Sequence, residues 1–177
     1  PVLMDNFWLT THVLTITLSY AAFALALGVG HIILGKSLFG SKASPALHNY
    51  LYRTLQIGVL LLAVGTILGA VWANYSWGRF WGWDPKENGA LMIVLWCLVV
   101  LHARLAGFLR EWGIHVAAVF GANIVAFSWW HVNSLSTGLH SYGFIDGLGI
   151  IWGFYGLLTA VCLMGMVCAV LERKSKG

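Results

Sequence analysis

The sequence predicts an all-α integral membrane protein, a bundle of about five transmembrane helices carrying an external tryptophan-rich loop. Two observations carry the prediction. Of the 177 residues, 59% are hydrophobic and only 9% charged, with a mean hydropathy of +0.80, whereas soluble domains hold about 25% charged residues. Four runs, Asn6 to Gly35, Leu55 to Trp77, Gly113 to Ile145 and Gly147 to Leu171, contain no Asp, Glu, Lys or Arg, and each is as long as the roughly 20 residues that cross a bilayer. A fifth, Asn88 to Ala103, reaches that length once its capped start is included.

The helices follow in order. The first is expected over Trp8 to Gly35; it is too long for a signal core and no small-residue cleavage site follows it, so it reads as a span. Pro1 in place of Met reads as the start of a processed or partial chain. The second is expected over Leu47 to Asn74. The third, Pro85 to Leu109, opens with Asp84-Pro85-Lys86-Glu87: Asp at the cap, Pro at the first helical position, Glu three residues after the cap. The fourth and fifth are expected over Gly113 to Val132 and Asp146 to Glu172. Short connections predict one domain over residues 1–177 with an external loop at 75–88. Two G-x-x-x-G spacings, Gly65/Gly69 and Gly149/Gly153, suit close backbone approach. Cys97, Cys162 and Cys168 lie in apolar runs without a C-x-x-C pair and read as packing residues.

Basic residues set the orientation. Lys36, Lys42 and Arg53 flank the first connection, Arg104 and Arg110 the third, and Arg173, Lys174 and Lys176 the tail. With five helices these fall on one side, predicted to be cytoplasmic. The net charge of +4 is accordingly read as topology and not as a nucleic-acid surface. The opposite face receives the amino terminus, the tryptophan loop and the connection from Asn133 to Ile145; Arg79 and Lys86 break the asymmetry, both inside the stretch WGRFWGWDPKEN.

An aromatic belt explains scattered residues such as Trp8, Trp72 and Trp112. It does not explain Trp77, Trp81 and Trp83 interleaved with Gly78 and Gly82 and followed by a capped helix start, whose free N–H groups favour an anion. That combination, with Arg79 and Lys86, suits a flat apolar ligand edged by carboxylates, and a porphyrin fits. His12, near the outer end of the first helix, and His140, in the outer connection, are brought by topology to the same face, where two imidazoles can hold a haem iron axially. His131, His48 and His115 read as interfacial.

WGRFWGWDPKEN, LHAR (Leu101 to Arg104), GLHSYGF (Gly138 to Phe144) and the opening FWLTTHVLTITLSYAAFALA together resemble the CcsA/ResC type of cytochrome c biogenesis proteins of the System II pathway, the tryptophan-rich WWD family. The resemblance implies that His12 and His140 ligate haem at the external site and that His102 is an axial ligand of a second, inner site whose partner comes from a helix outside this chain. It further implies transport of non-covalent haem b outwards, presentation as ferrous haem to the C-x-x-C-H motif of an apocytochrome c, and dependence on a ResB/CcsB partner, making the chain a component of a cytochrome c haem lyase. The expected location is a bacterial plasma membrane, in preference to a thylakoid, with the WWD loop external. By depth along its helix, His31 is a candidate inner partner for His102. The alternative is a haem b-binding electron-transfer or accessory subunit of a respiratory complex.

Overall fold

The computed structural model describes residues 6–141 and 147–174. The chain forms five helices: α1 (Phe7–Leu38), α2 (Pro45–Trp77), α3 (Pro85–Leu105), α4 (Glu111–Ser134) and α5 (Leu148–Lys174). Among the described residues there is no strand. Every helix is long and apolar enough to cross a membrane, and the protein is a multi-pass membrane protein. In lipid a helix satisfies its backbone polar groups within its own segment. The expected helix start at Asp146, the tail lysine Lys176 and Tyr142 to Phe144 of GLHSYGF lie outside the described residues.

Local chemistry sets the boundaries. Asn6 caps α1, its Oδ1 accepting the Leu9 N–H at 3.0 Å, and Ser44 with Pro45 opens α2. Asp84 and Glu87 form the expected capping box on α3. Helix α3 stops at Leu105, short of the expected Leu109. The Ala106 N–H still reaches the His102 carbonyl, then Gly107 turns the chain (φ 76°) and the Leu109 N–H bonds back to Ala103. Helix α2 runs on through Trp77, so the stretch 75–88 divides into a last turn of α2, an irregular segment at 78–84 and the first turn of α3.

Helices α1, α2, α3 and α4 pack around a square: α1 and α3 each lie against α2 and α4, and α5 lies outside, mainly against α4. Tyr20, Phe23, Leu51, Leu62, Ile93 and Val100 fill the centre. Residues such as Leu14, Leu25, Val99 and Leu163 turn outwards, as a lipid-facing surface requires. With lipid as apolar as the core, close contact drives association. Gly65 supplies it, since a Cβ there would meet the Ile16 side chain at 2.8 Å. Gly149 and Gly153 do not: neither has a neighbour within 4 Å. Cys97 and Cys162 are buried free thiols, as their apolar setting predicts, and Cys168 is free and half-buried.

Candidate functional site

At the end of the bundle that carries the tryptophan-rich stretch, His12 on α1 reaches across to α2. Its Nδ1 lies 2.7 Å from the Gly65 carbonyl oxygen. A carbonyl only accepts, so Nδ1 carries the proton and Nε2 keeps its lone pair. A Cβ at Gly69 would sit 2.5 Å from the His12 Cε1; the ring fits because that side chain is absent.

His140 comes from the connection after α4. Gly138 (φ 80°) lays this segment against the start of α3, where a Cβ on it would come within 2.7 Å of the Asp84 Cβ. The His140 Nδ1 lies 2.6 Å from Asp84 Oδ2, while Asp84 Oδ1 accepts the Lys86 and Glu87 N–H groups at 3.0 Å each. Burial opposes the charge on Asp84, but the bonds from His140 and from the Glu87 and Lys86 backbone outweigh it and hold the carboxyl at about 2. An ionised Asp84 makes His140 Nδ1 the donor, so that Nε2 is the nitrogen not engaged by Asp84.

His12 and His140 line one cavity of 370 Å³, with Phe80, Trp81, Tyr20 and Trp129 among its walls. Ligand sites occupy about 300–1,000 Å³. Trp81 lines this cavity, and its Nε1 is buried with no acceptor among the described residues. Tyr20 and Trp129 stack at 4.8 Å and form part of the wall on the membrane side. They also border a second, apolar cavity of 90 Å³ in the bundle centre.

The remaining loop residues serve in different ways. Trp77 meets the His140 ring edge-on at 4.9 Å and is itself met edge-on by Trp72 at 4.6 Å. Trp83 adopts a left-handed conformation (φ 58°) and is 68% exposed, its ring edge-on to Trp81; such a backbone costs about 1–2 kcal/mol. Arg79 pairs with Glu87 at 3.2 Å and Asp84 at 3.7 Å and lies over Trp77. Glu87 also accepts the Gly82 N–H at 2.7 Å, tying the loop to α3.

Lys86 lines the cavity and crosses to α4, donating to the Trp129 carbonyl at 2.8 Å and Asn133 Oδ1 at 3.0 Å. The turn Phe127–His131 is π-helical. An inserted residue breaks the α-helical pairing there, and the Trp129 carbonyl meets Lys86 and the Asn133 side chain.

The cavity lining thus unites His12, His140, Trp81 and Lys86, with Trp77 and Arg79 behind it and Trp83 turned outwards. His102 lies at the opposite end of α3, exposed, its Nδ1 2.7 Å from the Leu98 carbonyl of its own helix. His31 likewise bonds the Leu27 carbonyl at 2.9 Å. Since α1 and α3 occupy opposite corners of the square, the two rings are not brought together. His131 stacks on Tyr155 of α5 and does not line the cavity. His48 and His115, read as interfacial, are instead hydrogen-bonded to each other across α2 and α4, with Nδ1 to Nε2 at 2.8 Å and His115 only 2% exposed.

The family model for the cytochrome C assembly protein matches residues 1–140. The chain belongs to the cytochrome c assembly family. Within it, the chain is similar to Protein NrfI of Wolinella succinogenes, 35% identical over 159 residues that cover 84% of this chain and 17% of that protein. It is also similar to the cytochrome c biogenesis protein CcsA of Chlamydomonas reinhardtii, 39% identical over 154 residues (82% of this chain, 43% of the relative). A third relative is CcsA of Chlorella vulgaris, 31% identical over 185 residues (82% of this chain, 58% of the relative). The chain therefore spans less than two thirds of each of these relatives.

Sequence reasoning missed Tyr20, Trp129 and Asn133 as cavity residues of this family member. Two signals were present. His12, Ile16 and Tyr20 follow at four-residue spacing on one face of α1, and Trp129 and Asn133 are likewise four apart on α4.

Proposed function

We propose that this chain holds haem b non-covalently at the outer face of a membrane, between His12 and His140, and presents it for attachment to an apocytochrome c, as the haem transport and presentation component of a System II c-type cytochrome synthase. Membership of the cytochrome c assembly family supports the coarse role, cytochrome c maturation. One observation carries the finer one: two imidazoles from separate elements line one cavity, each with its Nδ1 engaged by an oxygen acceptor, which leaves Nε2 as the nitrogen for an iron. That is the donor set an axially ligated haem iron takes.

The rest of the lining fits the same ligand. Trp81, Phe80 and Trp129 offer apolar ring surface, and the unpartnered Trp81 N–H and the Lys86 ammonium are donors for propionates. Haem supplies the vinyl groups with which the acceptor's C-x-x-C-H thiols form thioethers. The chain's residues orient it, keep water from its inner face through Tyr20 and Trp129, and hold the reacting groups close, which is where such a site gains rate. No acid–base pair is assigned: Asp84 and Glu87 cap α3 and hold His140 and Arg79.

His102, exposed on α3 with its Nδ1 bonded within the helix, is the ligand we assign to an inner haem completed by a ResB/CcsB-type partner. Lys36, Lys42, Arg53, Arg104 and Arg110 lie at the ends of α1 and α3 and the starts of α2 and α4. This supports a cytoplasmic inner end and an external loop, which we assign to a bacterial plasma membrane.

The test is reduced haem spectra of the protein purified from membranes, for wild type, His12→Ala and His140→Ala, with coexpression of an apocytochrome acceptor. Haem content should fall in both variants and holocytochrome should form only with wild type. Unchanged haem in both variants overturns the external site.

A further inference from the structure

We propose that Asp84 is a positioning residue for His140: through one carboxylate it aims the imidazole's Nε2 into the cavity, lends the ring negative charge, and makes the two candidate iron ligands electronically unequal. The inference rests on the haem site proposed above and concerns how its ligands are tuned.

Three observations carry it. First, the contact is short and charge-assisted: Asp84 Oδ2 lies 2.6 Å from His140 Nδ1, and Asp84 is 5% exposed. Ligating histidines bonded to a carboxylate are held in one tautomer and become more basic ligands. Second, His12 has a different supporting group, the neutral Gly65 carbonyl. Among the described residues, only His140 of the two rings is bonded to a full negative charge. Third, the carboxylate is itself immobilised. Its Oδ1 is used by the first turn of α3 and Arg79 stands 3.7 Å from Oδ2. Gly138 brings the His140 segment against this carboxylate with no side chain between them. Asp84 therefore couples the start of a membrane helix to the orientation of one imidazole.

Negative charge on an axial ligand favours ferric over ferrous iron, so removing it raises the midpoint potential. Asp84→Asn retains a good helix cap and separates charge from capping. Its haem-loaded form should show a ferric/ferrous equilibrium moved about tenfold towards ferrous, about 59 mV for one electron, with haem held about 10–100-fold more weakly. Glu87→Gln removes an equal charge from a neighbour not bonded to His140 and should move the potential by less than a third as much. Equal shifts in the two variants, or no shift in Asp84→Asn, overturn the proposal.

A haem-free readout separates this inference from the proposed function. In the ¹⁵N spectrum of His140, wild type should show the Nδ1–H tautomer alone and Asp84→Ala a mixture. If wild type binds no haem, the haem reading fails, and the tautomer result alone then decides the positioning role: a mixture already present in wild type, or no change in Asp84→Ala, overturns it.

Discussion

The His12 imidazole rests against the backbone of Gly69, one helical turn along α2 from Gly65, whose carbonyl its Nδ1 reaches at 2.7 Å. Helix α1 therefore delivers its histidine to the cavity only because α2 offers a bare backbone there. In Gly69→Ala the new Cβ would lie 2.6 Å from Nδ1, and the ring must move. We expect about 1–3 kcal/mol of destabilisation from overpacking and loss of haem approaching that of His12→Ala. Gly153→Ala, at a position with open space around it, should change neither, as read by pyridine haemochrome content and thermal unfolding in detergent.

Lys86 ties α3 to α4 through the Trp129 carbonyl and Asn133. Lys86→Met keeps the length of the stem and removes both bonds. Bonds to a charged group are worth about 1.5–3 kcal/mol, so unfolding should shift to lower temperature. Hydrogen exchange should rise first in residues 127–134, which distinguishes loss of this tie from a general loosening of the bundle.

Acid should release the cap of α3 late. The Asp84 carboxyl is held at about 2 against an ordinary 3.8, so a depressed folded value stabilises the protein above pH 4 and the gain disappears as pH falls through about 2. In the haem-free protein, the part of the stability difference between wild type and Asp84→Asn that comes from this carboxyl, about 2 kcal/mol, should be full at pH 5 and close as pH falls to about 2. A difference that vanishes near pH 6 would place the effect on another group.

The His48–His115 pair is separate from the cavity that His12 and His140 line. Replacing His115 with Leu removes the 2.8 Å bond to His48 in a buried setting. It should lower stability by about 1–3 kcal/mol while leaving unchanged the spectrum of haem at the site proposed between His12 and His140. A changed spectrum would show that the two ends communicate.

Much of this architecture could be read from the residues. Spans, the capping box at Asp84, and the meeting of His12 with His140 follow from charge-free runs, a local hydrogen-bonding motif and an odd number of crossings, each of which acts over short range or by simple parity. What escaped depends on neighbours distant in sequence. The depth of Lys86 in a contact with α4, the pairing of His48 with His115, and the failure of Gly149 and Gly153 to receive a helix are decided by which corner of the square each helix occupies. The sequence also does not announce the π turn at Phe127–His131, because FSWWH is as apolar and helix-compatible as what surrounds it.

That turn gives α4 one residue more than its length in a regular helix would use. An added residue rotates all that follows by about 100°, so the outer third of α4 is aimed independently of the part embedded against α1 and α5. Trp129 and Asn133 can face the cavity while Val116 and Val119 keep their inner partners. A single deletion within residues 127–131 would restore an ordinary helix, swing Asn133 away from Lys86 and turn a different set of side chains towards the cavity. The number of residues in this one turn, and not their identity alone, thus sets which side chains this end of α4 presents to the cavity.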